Sequence, residues 1–309
     1  MRQDGTGHTV WADEVSFRPR REASECVTIA RVTREEPLLG GMHSTHAVVR
    51  VGDTVRRPLT ESSGAVRALL LHLEKVGFDG APRYLGRDGE GRDVLSYVEG
   101  QVPLPPYPAW SMTDHALVDL AHLLSRFHEA TASFDCNGIS GWASDWADPL
   151  AGRVICHNDL FPENVVFSDG RVIALIDFDM AAPGRPLWDV AIAAQEWAPL
   201  SAPDARRDHP RHLDRIARLR RFARAYGVEP DRASELVELI FAERQQALAH
   251  IRSEIAAGNQ TWVDHWHETG GEERAETDDA WLEQHRDAMV DAIGRQCLNR
   301  PNGHERDDL

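Results

Sequence analysis

The stretch from Val154 to Asp179 constrains the fold more than any other part of the chain. Val154-Ile155-Cys156 is a short apolar run. His157-Asn158-Asp159-Leu160-Phe161-Pro162-Glu163-Asn164 is a polar segment broken by proline, and Val165-Val166-Phe167 resumes the apolar pattern. Ser168-Asp169-Gly170 marks a turn, and Arg171-Val172-Ile173-Ala174-Leu175-Ile176 reads as a second strand running into Asp177-Phe178-Asp179. Two β-branched runs joined through Asp-Gly form a hairpin. Closing it brings Asn164, at the start of one strand, close to Asp177, at the end of the other, with Asp159 on the loop just before. Three side-chain oxygens then converge. Hard cations such as Mg²⁺ take a few oxygen ligands and leave the rest to phosphate and water. A carboxylate near a metal-bound triphosphate can accept a hydroxyl proton and orient the nucleophile. Asp159 therefore suits the base, and Asn164 with Asp177 suits the metal.

The surrounding chain sorts into two unlike parts. Residues 1–24 are polar, with Arg18, Arg20 and Arg21 clustered, and are expected to form a flexible N-terminal arm. Ala47–Val51 and Thr54–Arg57 flank the turn Gly52-Asp53 as a first hairpin, stopped by Pro58. Val66, Leu69, Leu70, Leu73 and Val76 repeat at helical spacing, closed by Gly77. Arg83–Gly86 and Val94–Val98 read as two further strands around a polar turn. Gly100–Trp110, rich in proline, reads as a connector. Beyond it helical periodicity dominates: Asp114–His128, Leu213–Tyr226, Ala233–Ile251 and Ala280–Ile293. The expectation is an α+β chain with the arm at 1–24, a small sheet-rich N-lobe at 25–99 and a larger, mainly helical C-lobe at 100–309.

Composition removes several classes. The formal net charge of -16 argues against a nucleic-acid or anionic-membrane binder and leaves room for cationic small molecules. Lys75 is the sole lysine and lies between Glu74 and Val76, which excludes a Walker P-loop. Cys26, Cys136, Cys156 and Cys297 form no C-x-x-C pair, so a zinc ribbon is not expected, and scattered thiols suit a reducing cytoplasm. No apolar run is long enough to span a membrane.

At His157-Asn158-Asp159 through Asn164, and again at Ile176-Asp177-Phe178-Asp179, the chain resembles the aminoglycoside phosphotransferase and choline kinase-like family, small-molecule relatives of protein kinases. The resemblance continues through Pro183-Gly184-Arg185-Pro186-Leu187-Trp188-Asp189-Val190-Ala191 and extends back to Leu124-Ser125-Arg126-Phe127-His128. It implies a bilobal protein-kinase-like fold. It also implies a small-molecule kinase that moves the γ-phosphate of ATP, or of GTP, to a hydroxyl with Mg²⁺. Asp159 would be catalytic, Asn164 and Asp177 metal-binding, and Asp189 structural. The loop Gly40-Gly41-Met42-His43-Ser44 would cover the nucleotide through Gly41 and Ser44, and the hinge at Tyr97 and Val98 would meet adenine. The family's third strand carries a lysine for the α- and β-phosphates. Here Arg56 is the best positional substitute, with Arg57 next by alternation, and an arginine grips phosphate through its planar fork.

Several features carry simpler readings. His157 reads as a packed residue orienting its loop, and Asp179 as a hydrogen-bonded turn acid or a second metal contact. Trp266 and Trp281 read as core. His265 and His267, two apart on a helix, point away from each other and make a poor zinc pair. Two functions follow. One is a phosphotransferase acting on a small molecule, with an aminoglycoside-like polycation as first candidate by family and charge. The other is a catalytically silent kinase fold serving binding, immunity or regulation, supported by the missing lysine and opposed by the intact Asp159, Asn164 and Asp177.

Overall fold

A computed structural model describes residues 34–38, 48–203 and 208–295. The expected arm at 1–24 and the loop holding Gly41 and Ser44 lie outside the described residues. The N-terminal sheet is antiparallel, in the order β1-β2-β3-β5-β4. Its strands are β1 (Glu36–Pro37), β2 (Val49–Val51), β3 (Thr54–Arg57), β4 (Tyr84–Arg87) and β5 (Asp93–Ser96). Helix α1 (Ser63–Lys75) buries Val66, Leu69, Leu70 and Leu73, the stripe that its periodicity predicts. It starts three residues earlier than that stripe, where Ser63 Oγ accepts the N–H of Thr60.

The connector after β5 is stitched to the second lobe. Gln101 and Phe167 exchange backbone hydrogen bonds of 2.7 and 2.8 Å. Gly100 is needed there, because a Cβ would stand 2.4 Å from the Phe167 carbonyl oxygen.

Helix α2 (Asp114–Thr131) runs through the second lobe, capped by the Thr113 side chain, which accepts the N–H of Ala116. Two short two-stranded ladders follow: β6 (Val154–Cys156) with β9 (Ala182–Gly184), and β7 (Val165–Ser168) with β8 (Arg171–Leu175). The β7–β8 turn holds Asp169 at φ 50° and Gly170 at φ 74°, the left-handed pair that a tight hairpin demands. Helix α3 (Pro186–Trp197) follows, starting with proline in its first turn and almost wholly buried. Helices α4 (Arg215–Tyr226), α5 (Ala233–Ala256), α6 (Gln260–Glu268) and α7 (Gly271–Gly294) complete the lobe. One core, including Phe127, Phe167, Phe178, Trp188 and Trp197, runs beneath the two ladders.

No helix among the described residues is long and apolar enough to cross a membrane. Trp281 packs against the core, Trp266 is half-buried and not part of it, and the buried tryptophan of α6 is Trp262, which contacts Trp146, His250 and His265.

Candidate active site

The loop after β6 is held by one buried carboxylate. Asp189, in the first turn of α3 and fully enclosed, accepts the backbone N–H of His157 at 2.7 Å and of Asn158 at 2.9 Å. His128 Nε2 donates to the same carboxylate at 3.1 Å, and its Nδ1 meets the Tyr226 hydroxyl at 2.8 Å. His128, Cys156 and Asp189 crowd closely enough to look like a metal trio. The hydrogen bonds already occupying Asp189 explain that packing without an ion.

His157 donates from Nε2 to the Ile176 carbonyl at 3.0 Å, tying this loop to the end of the β7–β8 hairpin. Burial holds its pKa below the ordinary histidine range. It packs at a tilt against Phe178, 4.7 Å between ring centroids, and holds the loop, as the simpler reading expects. Asn158 takes a left-handed φ of 61° and donates to the Met180 carbonyl at 2.9 Å. The sharp bend precedes Asp159, which is half-buried.

Asn164 closes a short 3₁₀ turn, Pro162–Asn164, just before β7. Its Nδ2 donates to the Asp159 backbone carbonyl at 3.0 Å and to Asp159 Oδ2 at 2.7 Å. Its own carbonyl accepts the Ile176 N–H at 2.9 Å, which brings Asp177 alongside. Asp177 is left-handed at φ 63°, a conformation that Asp tolerates better than most residues, and turns the chain out of β8 into Phe178–Met180. The structure thus brings Asp159, Asn164 and Asp177 together.

Acidic groups crowd one another at this site. Asp159 is pushed up to about 8, first by withdrawal from water and then by the charge of Asp177, with Asn164 pulling the other way. Glu163 and Glu196 raise it further. Asp177 is also held above the usual carboxylate range, by burial first and Asp179 next, while Arg57 opposes. With both Asn164 amide protons directed at Asp159, its Oδ1 is left as an acceptor beside an under-compensated carboxylate. That donor set fits a hard divalent cation.

The arginine beside these carboxylates is Arg57. Its Nη2 lies 3.7 Å from Asp177 Oδ1 and donates to Asp179 Oδ2. Arg56, the preferred substitute for the family lysine, is on the other face of β3. There its Nε lies 3.6 Å from Asp88, and Nη1 reaches Thr54 Oγ1 at 2.5 Å. Neighbouring strand residues face opposite ways. Val55 packs toward the core, so Arg57, two residues on, shares its face. That spacing was the available signal.

At Tyr97, expected to lie in the hinge, the backbone N–H donates to the Asp53 carbonyl at 2.9 Å, and the Arg50 guanidinium lies 3.7 Å over the ring. Sequence pattern alone gives no role to Tyr107 or Glu163. The Tyr107 hydroxyl donates to Glu163 Oε2 at 2.6 Å next to the Asp159 loop, and burial raises the pKa of both groups.

A small sheet, a helical lobe and this loop pair make up the protein-kinase-like class. Residues 140–236 match the phosphotransferase enzyme family, which bears out the resemblance read from the sequence. Solved structures share the fold. A choline/ethanolamine kinase family protein from Mesorhizobium loti aligns at TM-score 0.56 and 17% identity, over 86% of this chain and 94% of that one. The GDP complex of wild-type aminoglycoside 2'-phosphotransferase-IIIa aligns at TM-score 0.53 and 17% identity, over 82% and 93%.

Among curated proteins, the trifolitoxin immunity protein of Rhizobium leguminosarum bv. trifolii is 38% identical over 165 residues, 52% of this chain and 60% of the relative. A homoserine kinase of Neisseria meningitidis serogroup B is 34% identical over 94 residues, 30% and 29% of the two chains. A homoserine kinase of Bradyrhizobium diazoefficiens is 27% identical over 202 residues, 52% and 57%. The matches therefore span 60% or less of the length of these relatives.

Proposed function

We propose that the protein is a phosphotransferase that moves the γ-phosphate of ATP or GTP to a hydroxyl of a small molecule. The observation that carries this reading is the joint placement of Asp159, Asn164 and Asp177 by two adjoining loops, with Asn164 Nδ2 2.7 Å from Asp159 Oδ2. Asp159 accepts the proton of the attacking hydroxyl as the new O–P bond forms and the bond from the γ-phosphorus to the leaving oxygen breaks, releasing the nucleoside diphosphate. Asn164 fixes the rotamer of that base. Asn164 Oδ1 and the Asp177 carboxylate would hold Mg²⁺, which supplies charge neutralisation on the phosphates. Arg57 takes the role that Arg56 was expected to fill, with Val98 at the adenine end.

The acceptor is read as a cationic alcohol. Glu163 and Glu196 add negative charge around Asp159, and an ammonium-bearing molecule would offset it. The named activities of the similar homoserine kinases and aminoglycoside phosphotransferase make amino alcohols and amino sugars the first candidates. The protein would act in the cytoplasm, where nucleotide is available.

A second reading is favoured by one observation, the ion pairs that Arg57 makes with Asp177 and Asp179, which occupy the carboxylates a cation would need. With the similarity to an immunity protein, they support a silent, nucleotide- or ligand-binding fold. A nucleotide-consumption screen with Mg²⁺ against amino alcohols and amino sugars separates the two. Acceptor-dependent release of nucleoside diphosphate supports the enzyme. Nucleotide binding with no turnover on any acceptor supports the silent fold.

A further inference from the structure

A strand arginine can serve a phosphate only if the protein holds its guanidinium in place and balances part of its charge. Helix α1 does not supply an acid for this. Toward the small cavity behind Arg57 it presents Ser63, Val66, Arg67 and Leu70, and Glu74 is exposed near its end. The sheet supplies one instead. Arg57 on β3 stands directly opposite Asp93 on β5 in the antiparallel register. Directly paired residues leave the sheet on the same face.

Asp93 is only 4% exposed, yet its hydrogen bonds are long: 3.5 Å from the Tyr84 hydroxyl and 3.4 Å from Arg87 Nε. The Arg87 side chain is itself 45% exposed. Arg57, Asp93, Tyr84 and Asp179 all line the same cavity. Arg57 thus lies between two acidic groups, with Asp177 and Asp179 in front and Asp93 across the ladder. A cation on the Asp177 carboxylate and a guanidinium paired to the same group compete for the same oxygens. A guanidinium that yields that place needs another carboxylate within side-chain reach, and Asp93 is the acid on its own face.

The geometry points to Asp93 as the positioning residue of the nucleotide clamp: with nucleotide in the cleft, Arg57 exchanges Asp179 for the phosphates and is held from behind by Asp93. This inference rests on the phosphotransferase reading.

The test is a double-mutant cycle read by ADP affinity in the full chain, with and without Mg²⁺, alongside each variant's melting temperature. Asp93→Asn should weaken ADP binding about tenfold in the parent and less than about twofold in an Arg57→Ala background, the non-additivity of residues acting as a unit. Arg87→Ala, which removes the other charged partner of Asp93, should leave ADP affinity unchanged. Asp93→Ser is carried through the same cycle, so the outcome does not depend on one variant folding. An equal loss in both backgrounds, or no loss in the parent, overturns the role of Asp93 while leaving the phosphotransferase reading in place. A parent protein that binds no ADP under either condition overturns both.

Discussion

The Asp189 carboxylate accepts two consecutive backbone N–H groups, from His157 at 2.7 Å and Asn158 at 2.9 Å. A single residue of α3 therefore fixes the bend that presents Asp159. Asp189→Ala leaves two buried N–H groups and His128 without an acceptor, and is expected to cost about 3–5 kcal/mol of stability. Denaturant unfolding measures this, and a loss below about 1 kcal/mol would show that the loop does not depend on Asp189.

Arg57 and Arg56 offer a paired comparison on one strand. Arg57→Ala should raise the nucleotide requirement at least tenfold, the order expected on losing a charged hydrogen-bonding partner. Arg56→Ala, which disturbs the contacts with Asp88 and Thr54, should change it by less than about twofold. Steady-state nucleotide titration of the two variants decides it, and the reverse ranking would return the clamp to Arg56.

Asp159 and Asp177 should fail in different ways. Asp159→Asn is expected to lower turnover by about 10²- to 10⁴-fold with nucleotide binding nearly unchanged, because the base acts on the acceptor. Asp177→Asn removes a charged ligand at constant volume and should abolish the Mg²⁺ dependence of nucleotide binding. Calorimetric titration of nucleotide with and without Mg²⁺ separates the two roles. Identical binding behaviour in both variants would contradict them.

Glu243 on α5 provides a pH-dependent test away from the cleft. It accepts a hydrogen bond from Gln195 Nε2, and burial pushes its pKa up to about 7 from an ordinary value of 4.5. A carboxyl raised in this way binds its proton more tightly folded than unfolded. Its contribution to stability is therefore present at pH below about 4.5 and is lost as pH rises through about 7. Glu243→Gln should raise stability at pH 8 relative to the parent by about 1–2 kcal/mol, a figure reduced for partial solvent access, and by much less at pH 4.5. Melting temperatures of the two proteins across that range test the sign. A variant that is equally destabilised at both pH values would refute it.

Much of the site is legible in the amino-acid sequence. The intervals from Asp159 to Asn164 and Asp177 are local, set by a loop and one tight hairpin, and local geometry follows from turn chemistry and strand period. The helical stripe Val66–Leu73 and the patterns that form α2, α4, α5 and α7 are legible for the same reason. Alternation places Arg56 and Arg57 on opposite faces of one strand. Which face meets the cleft is decided by packing: Val55 goes to the core, so Arg57 reaches Asp177 and Asp179 while Arg56 meets Asp88. The partners Asp93, Tyr107 and Glu163 likewise come from tertiary structure, because strand register and the approach of the connector to the catalytic loop join residues far apart in the chain. Sequence period fixes what a residue's immediate neighbours face. Contact between distant segments depends on how whole elements bury their apolar surfaces together, and that balance is struck only in the assembled fold.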